Sequence, residues 1–162
     1  MNATIELTDT AATPADAAPN IVIIYQDRAT GIHAKRFADM LAGTLESNCT
    51  MAFWRSELIE LPEIASEIAR DAAASEFLIL ALRGDTALSF AARDLIESWL
   101  ACASGGIASL VALFDPALGR RRLAESVRWY LRQAAAEASV EPTRRSRRQG
   151  LQTHHSLAPL AA

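Results

Sequence analysis

The chain has 162 residues with 16 basic and 19 acidic side chains, a formal net charge of −3, 51% hydrophobic and 22% charged residues. That length accommodates one domain with a substantial core and excludes two complete α/β units, while the negative balance excludes general nucleic-acid affinity. The longest strongly apolar run, Ile107 to Phe114, is far too short for a membrane span, so no membrane association is expected.

The charge is unevenly distributed. Residues 1–16 carry only the acids Glu6, Asp9 and Asp16, whereas 142–162 carry Arg144, Arg145, Arg147 and Arg148 and no acid. Without interleaved aromatics, these arginines read as a solvated tail, the one place where nucleic acid could be touched. Cys49 and Cys102 lack the spacing of a zinc site or redox pair and read as buried thiols. The N-terminus has no basic stretch followed by an apolar one, which points to a cytoplasmic protein.

In chain order, Thr4-Ile5-Glu6-Leu7-Thr8 alternates like an additional edge strand, and 9–19 is a small-residue, proline-punctuated linker. Ile21 to Tyr25 is a continuous β-branched run, the pattern of a strand buried on both faces of a parallel sheet. A polar break leads to Ala34, Phe37, Ala38, Leu41 and Leu45, spaced along one face of a helix. Cys49 to Trp54 reads as a second strand, and Leu61, Ile64, Ala65, Ile68 and Ala72 trace a second helix with Pro62 near its start.

Phe77 to Leu82 is a third buried strand, followed by Arg83-Gly84-Asp85-Thr86 and a helix bearing Leu88, Ala92, Leu95, Ile96 and Trp99. Gly105-Gly106 ends that helix, and Ile107 to Phe114 is a fourth strand. Asp115-Pro116 suits a helix start, with the final helix carrying Leu123, Val127, Tyr130, Leu131, Ala134 and Ala138 and interrupted or delayed by Gly119. This alternation implies an α/β fold, a three-layer α/β/α sandwich around a parallel sheet of four core strands, for which the common order 2-1-3-4 is expected. The expected division is an N-terminal extension and linker over 1–19, the α/β domain over 20–141, and a disordered Arg-containing tail over 142–162.

The segment Ile23 to Ala34 resembles the opening strand and phosphate loop of flavodoxins, and Leu78 to Thr86 is similar to their third strand and loop. The resemblance implies FMN, or a nucleotide, held at the C-terminal edge of the sheet. Asp27 and Arg28 stand inside this loop, and Arg83 to Ser89 contains no aromatic to flank a flavin. The same architecture resembles response-regulator receivers, which implies a signalling role. Those need an acidic pair after the first strand, an Asp ending the third and a Lys further on; here Asp27 is a single acid, Arg83 takes roughly the phosphoacceptor's place, and the single Lys, Lys35, lies on the first helix. That pattern is a degenerate receiver.

Two candidate sites follow at the strand ends. Arg28, Thr30, Gly31, Arg83 and Gly84 could cradle a phosphate or other anion through backbone N–H groups and guanidinium. Asp27, Asp85 and Asp115 each follow a strand and precede a helix; they read either as Mg²⁺ ligands or as helix caps. His33 has no nucleophile identifiable beside it, and no complete catalytic motif is present. Trp129 and Tyr130 are adjacent on one helix, so one of them faces outward. With the open fourth strand, this suggests a protein partner or a homodimer. The leading expectation is a non-catalytic regulatory or protein-interaction module, and the alternative is a binder of a phosphate-bearing small molecule.

Overall fold

The computed structural model describes residues 18–103 and 108–150, with the side chains of 139–150 excepted. The suggested strand at Thr4–Thr8, Gly105-Gly106 and the histidines His154 and His155 lie outside the described residues. Four strands, β1 (Asn20–Tyr25), β2 (Thr50–Arg55), β3 (Phe77–Leu82) and β4 (Ser109–Phe114), form one sheet in the order β2-β1-β3-β4. Every pairing is parallel, with Ile23 opposite both Phe53 and Ile79, and Ile79 opposite Val111.

Helix α1 (Arg28–Leu45) connects β1 to β2 in one direction across the sheet, while α2 (Pro62–Ala73) and α3 (Phe90–Ala103) connect strands in the other. Right-handed crossovers therefore place α1 on one face and α2 and α3 on the opposite face. The core divides accordingly. Ile21, Ile23, Ile79 and Ala81 pack with Ala34 and Ala38 of α1; Val22, Ile24, Leu78, Leu80 and Leu82 pack with Ile68, Leu95, Ile96 and Trp99, joined by Val127 and Leu131 of the last helix, α4 (Arg122–Gly150). Both faces of β1 and β3 are buried, which is why those segments read as unbroken β-branched and aliphatic runs.

One polar node inside the larger core is fully paired. The Trp99 indole donates to the Ser75 hydroxyl and carbonyl at 3.2 and 3.3 Å, and that hydroxyl donates to the Ala72 carbonyl at 2.7 Å, tying α3 to the end of α2. Removing the indole N–H would strand a buried acceptor, the costly kind of hydrogen-bond loss.

Several expectations from the sequence need correction. Leu88 precedes α3 rather than lying on it, and a 3-10 helix at Ser56–Glu60 comes between β2 and α2. Asp115 does not cap α4, which begins only at Arg122; its carboxylate instead accepts from the amides of Ala117 and Leu118 at 2.8 and 3.2 Å and closes a turn. Helix α4 runs from Arg122 through Pro142 to Gly150. Cys49 is half-buried, packed against the α1-side core, and Cys102 is exposed; both are free thiols. Of the adjacent aromatics, Trp129 is the outward one, while Tyr130 donates to Glu97 at 2.7 Å. Among the described residues, no helix is long and apolar enough to cross a membrane.

Replacing Ile79 with Ala should lower the unfolding free energy by about 2–5 kcal/mol, measured as a reduced urea midpoint at unchanged slope. Met40→Ala, on the exposed side of α1, should stay within about 0.5 kcal/mol.

Candidate functional site

The reversal of strand order at β1 brings the loops after β1 and β3 together at the C-terminal edge, where open α/β sheets place their ligands. The Gln26 amide extends the ladder by donating to the Ala81 carbonyl at 3.1 Å. Its side chain spans the gap, accepting from the Arg83 amide at 2.6 Å and donating to the Thr86 hydroxyl at 3.1 Å.

Asp27 is the N-cap of α1 in extended conformation. Its carboxylate accepts from the Thr30 amide at 2.8 Å, and the Asp27 amide donates to the Thr30 hydroxyl at 2.9 Å, a reciprocal capping box. The Gly31 amide donates to the Asp27 carbonyl at 2.9 Å. Thr30 is buried and its hydroxyl lies 3.0 Å from both the Asp27 carbonyl and carboxylate. The amides and hydroxyl that an external phosphate would use are thus engaged by the chain's own carboxylate. Thr30 serves the helix start, Gly31 lies against the Tyr25 ring, and Arg28 is exposed.

Arg83 occupies the space between the rim acids. Its Nε and Nη2 donate to the two Asp85 oxygens at 3.2 and 2.8 Å, a bidentate pair, and its Nη1 lies 3.6 Å from Asp27. The Asp85 hydrogen bond raises the Arg83 pKa further, with smaller contributions from the charges of Asp27 and Asp115. In return, the hydrogen bond from Arg83 lowers Asp85. Asp27 is lowered chiefly by the Thr30 amide, against opposing desolvation and with help from the Thr30 hydroxyl and Arg83. Gly84 is buried at φ +90°, and a Cβ there would lie 3.1 Å from Ala124 Cβ and from the Leu118 carbonyl, so its role is backbone geometry.

The three acids therefore share one rim, as their positions after strands suggest, with a guanidinium in the space a cation would need. Among the described residues, no group of three or more His, Cys, Asp or Glu side chains is placed to hold a metal ion. His33 is exposed on α1.

Beside this rim lies a feature the sequence analysis did not single out. A groove of about 580 Å³ opens between the start of α1 and β2, lined by Tyr25, Arg28, Gly31, Ile32, Lys35, Phe53 and Arg55. Arg28, Ile32 and Lys35 recur at helical spacing, while Phe53 and Arg55 alternate on a strand, so a pattern signal existed on each element. Neither a family model, nor a curated protein, nor a solved structure matches the chain.

Both lowered rim carboxylates give stability that is complete above their unfolded pKa, about 3.9, and is lost as pH falls through the lower folded value. The melting temperature should therefore fall on acidification below about pH 4. Asp27→Asn, which retains a capping side chain, should flatten part of that fall, a difference that calorimetry across pH would read. Gly84→Ala should destabilise the protein by about 1–3 kcal/mol at all pH values, from the left-handed backbone and the crowded Cβ.

Proposed function

We propose that the chain is a non-catalytic regulatory, protein-interaction module built on a degenerate receiver-like core. The observation that carries this reading is Arg83. It stands at the end of β3, roughly where a receiver carries its phosphoacceptor, and spends its guanidinium on Asp85 and Asp27. A cation fixed there satisfies the rim acids internally, and a guanidinium, with five N–H donors and no acceptor, cannot ligate Mg²⁺ or stand in for the carboxylate that a receiver phosphorylates. The alternative, a phosphate-bearing ligand such as FMN or a nucleotide at this edge, has less support because Asp27 already fills the N-terminus of α1.

Large apolar side chains left outside the core favour a protein partner. Phe90 at the start of α3 is 85% exposed and Trp129 on α4 is 64% exposed. Both outer strands, β2 and β4, each pair with one neighbour among the described residues, leaving edges that a partner chain or a second copy could cover.

The expected outcome is that acetyl phosphate with Mg²⁺ adds no phosphoryl group by intact mass, and that neither FMN nor Mg²⁺ raises the melting temperature. Arg83→Ala should acquire a Mg²⁺-dependent rise, because Asp27 and Asp85 then lose their shared counter-charge. Stoichiometric phosphorylation of the wild type, or a saturable thermal shift with FMN, overturns the reading.

A further inference from the structure

The α1–β2 groove combines three properties that together specify an occupant. The first is charge: its lining includes Arg28, Lys35 and Arg55 and no acid. Lys35 and Arg55 make exposed pairs with Asp39 and Glu57, at 2.7 and 3.1 Å, contacts that cost little to exchange for another carboxylate. Arg28 makes no ion pair among the described residues, and it stands at the first position of α1, whose first turn has no acidic side chain. A cation at the positive end of a helix is locally unfavourable, so this charge does not serve the fold.

The second property is an uncovered apolar floor, with Ile32 46% exposed and Phe53 39% exposed beside the half-buried ring of Tyr25. The third is the adjoining edge. Strand β2 pairs with β1 on one side and, among the described residues, with no strand on the other. A segment laid beside it would sit about 4.8 Å away with side chains alternating between the two faces.

From these we infer that the groove and the β2 edge bind an extended acidic segment of a protein partner, added as a further strand, with apolar side chains over Phe53 and Ile32 and carboxylates on Arg28, Lys35 and Arg55. Main-chain pairing supplies affinity, while alternate side chains supply selectivity. This assignment rests on the interaction-module reading and names the surface that serves it. Another surface groove, between α3 and α4, mixes Glu125 with Arg93 and Arg132 and so selects neither sign of charge.

The test titrates the full-length, ¹⁵N-labelled protein with the acidic peptide Thr-Val-Ser-Glu-Thr-Ile-Ser-Asp, whose apolar and acidic side chains fall on the same face of a strand, with its Lys-for-acid counterpart, and with inorganic phosphate. The acidic peptide should give saturable amide shifts along Thr50–Arg55 and around Arg28 to Ile32, slow amide exchange on β2, and weaken as salt is raised. Arg28→Glu and Phe53→Ser should each weaken binding about tenfold or more. Since Arg28→Glu places an acid where the helix dipole favours one, lost binding in that variant reports lost recognition rather than unfolding. The inference is overturned by no saturable response, by equal response to the Lys peptide, or by phosphate alone reproducing the shifts with β2 exchange unchanged. Those results leave the module reading standing, because phosphoryl transfer and the FMN and Mg²⁺ responses decide it separately.

Discussion

The parallel pairing of β1 with β3 is the constraint on which the rest of the molecule depends. Both strands are buried on both faces, and the register that sets Ile23 against Ile79 leaves each with no exposed side chain at its centre. A slip of one residue would exchange the two side-chain sets between the α1 layer and the opposite layer, where the helices offer differently shaped surfaces. Gln26 and Arg83 leave the sheet at adjacent points because Tyr25 lies opposite Ala81, and the Gln26 amide continues that ladder by one more bond. A register chosen by aliphatic burial thus decides which polar groups meet at the rim.

The energies at the rim are smaller than those beneath it. A capping interaction such as that of Asp27 contributes about 1 kcal/mol, whereas one fully buried aliphatic side chain contributes about 2–5 kcal/mol by truncation. The Arg83 pairs are largely solvent-exposed and add still less. The guanidinium is therefore positioned by the backbone, through the Gln26 bond to its amide, more than it positions the backbone. Changes in rim chemistry are tolerated by such a fold, and an arginine can stand at the end of β3 without loss of the sheet.

Much of the architecture was legible because burial on both faces writes unbroken apolar runs. β1 and β3 could be read almost to the residue, strand–helix alternation then implied a parallel sheet, and the common 2-1-3-4 order is the one observed. The acids Asp27, Asp85 and Asp115 could be placed on one rim because each follows a strand. Their counter-ion could not, since the choice among nearby arginines depends on how Gln26 and the Gly84 turn aim Arg83. Leu88 fitted the helical period of α3 while lying in the preceding loop, and Asp115-Pro116 carried the composition of a helix start while closing a turn. In both places local chemistry admitted two geometries, and tertiary packing selected the other. The groove's residues lie on two elements separated in sequence, and they become a surface only once β2 is laid beside α1.

Within that groove the chain departs from local preference twice. Arg28 opposes the dipole of its own helix, and Gly31 lies inside α1, where glycine costs about 1 kcal/mol relative to alanine. Gly31 has a visible reason: a Cβ there would come within 2.9 Å of the Tyr25 ring, so its absence lets that ring lie against the first turn of the helix and line the groove. Arg28 has no comparable structural reason. Elsewhere this helix has a capping box at its start and small, buried alanines toward the sheet, while Gly43 and the left-handed Glu46 near its C-terminal end are further departures that lie outside the groove. Departures that converge on one uncovered surface, one explained by shaping it and the other unexplained by stability, are what the proposed partner surface would require and the fold would not.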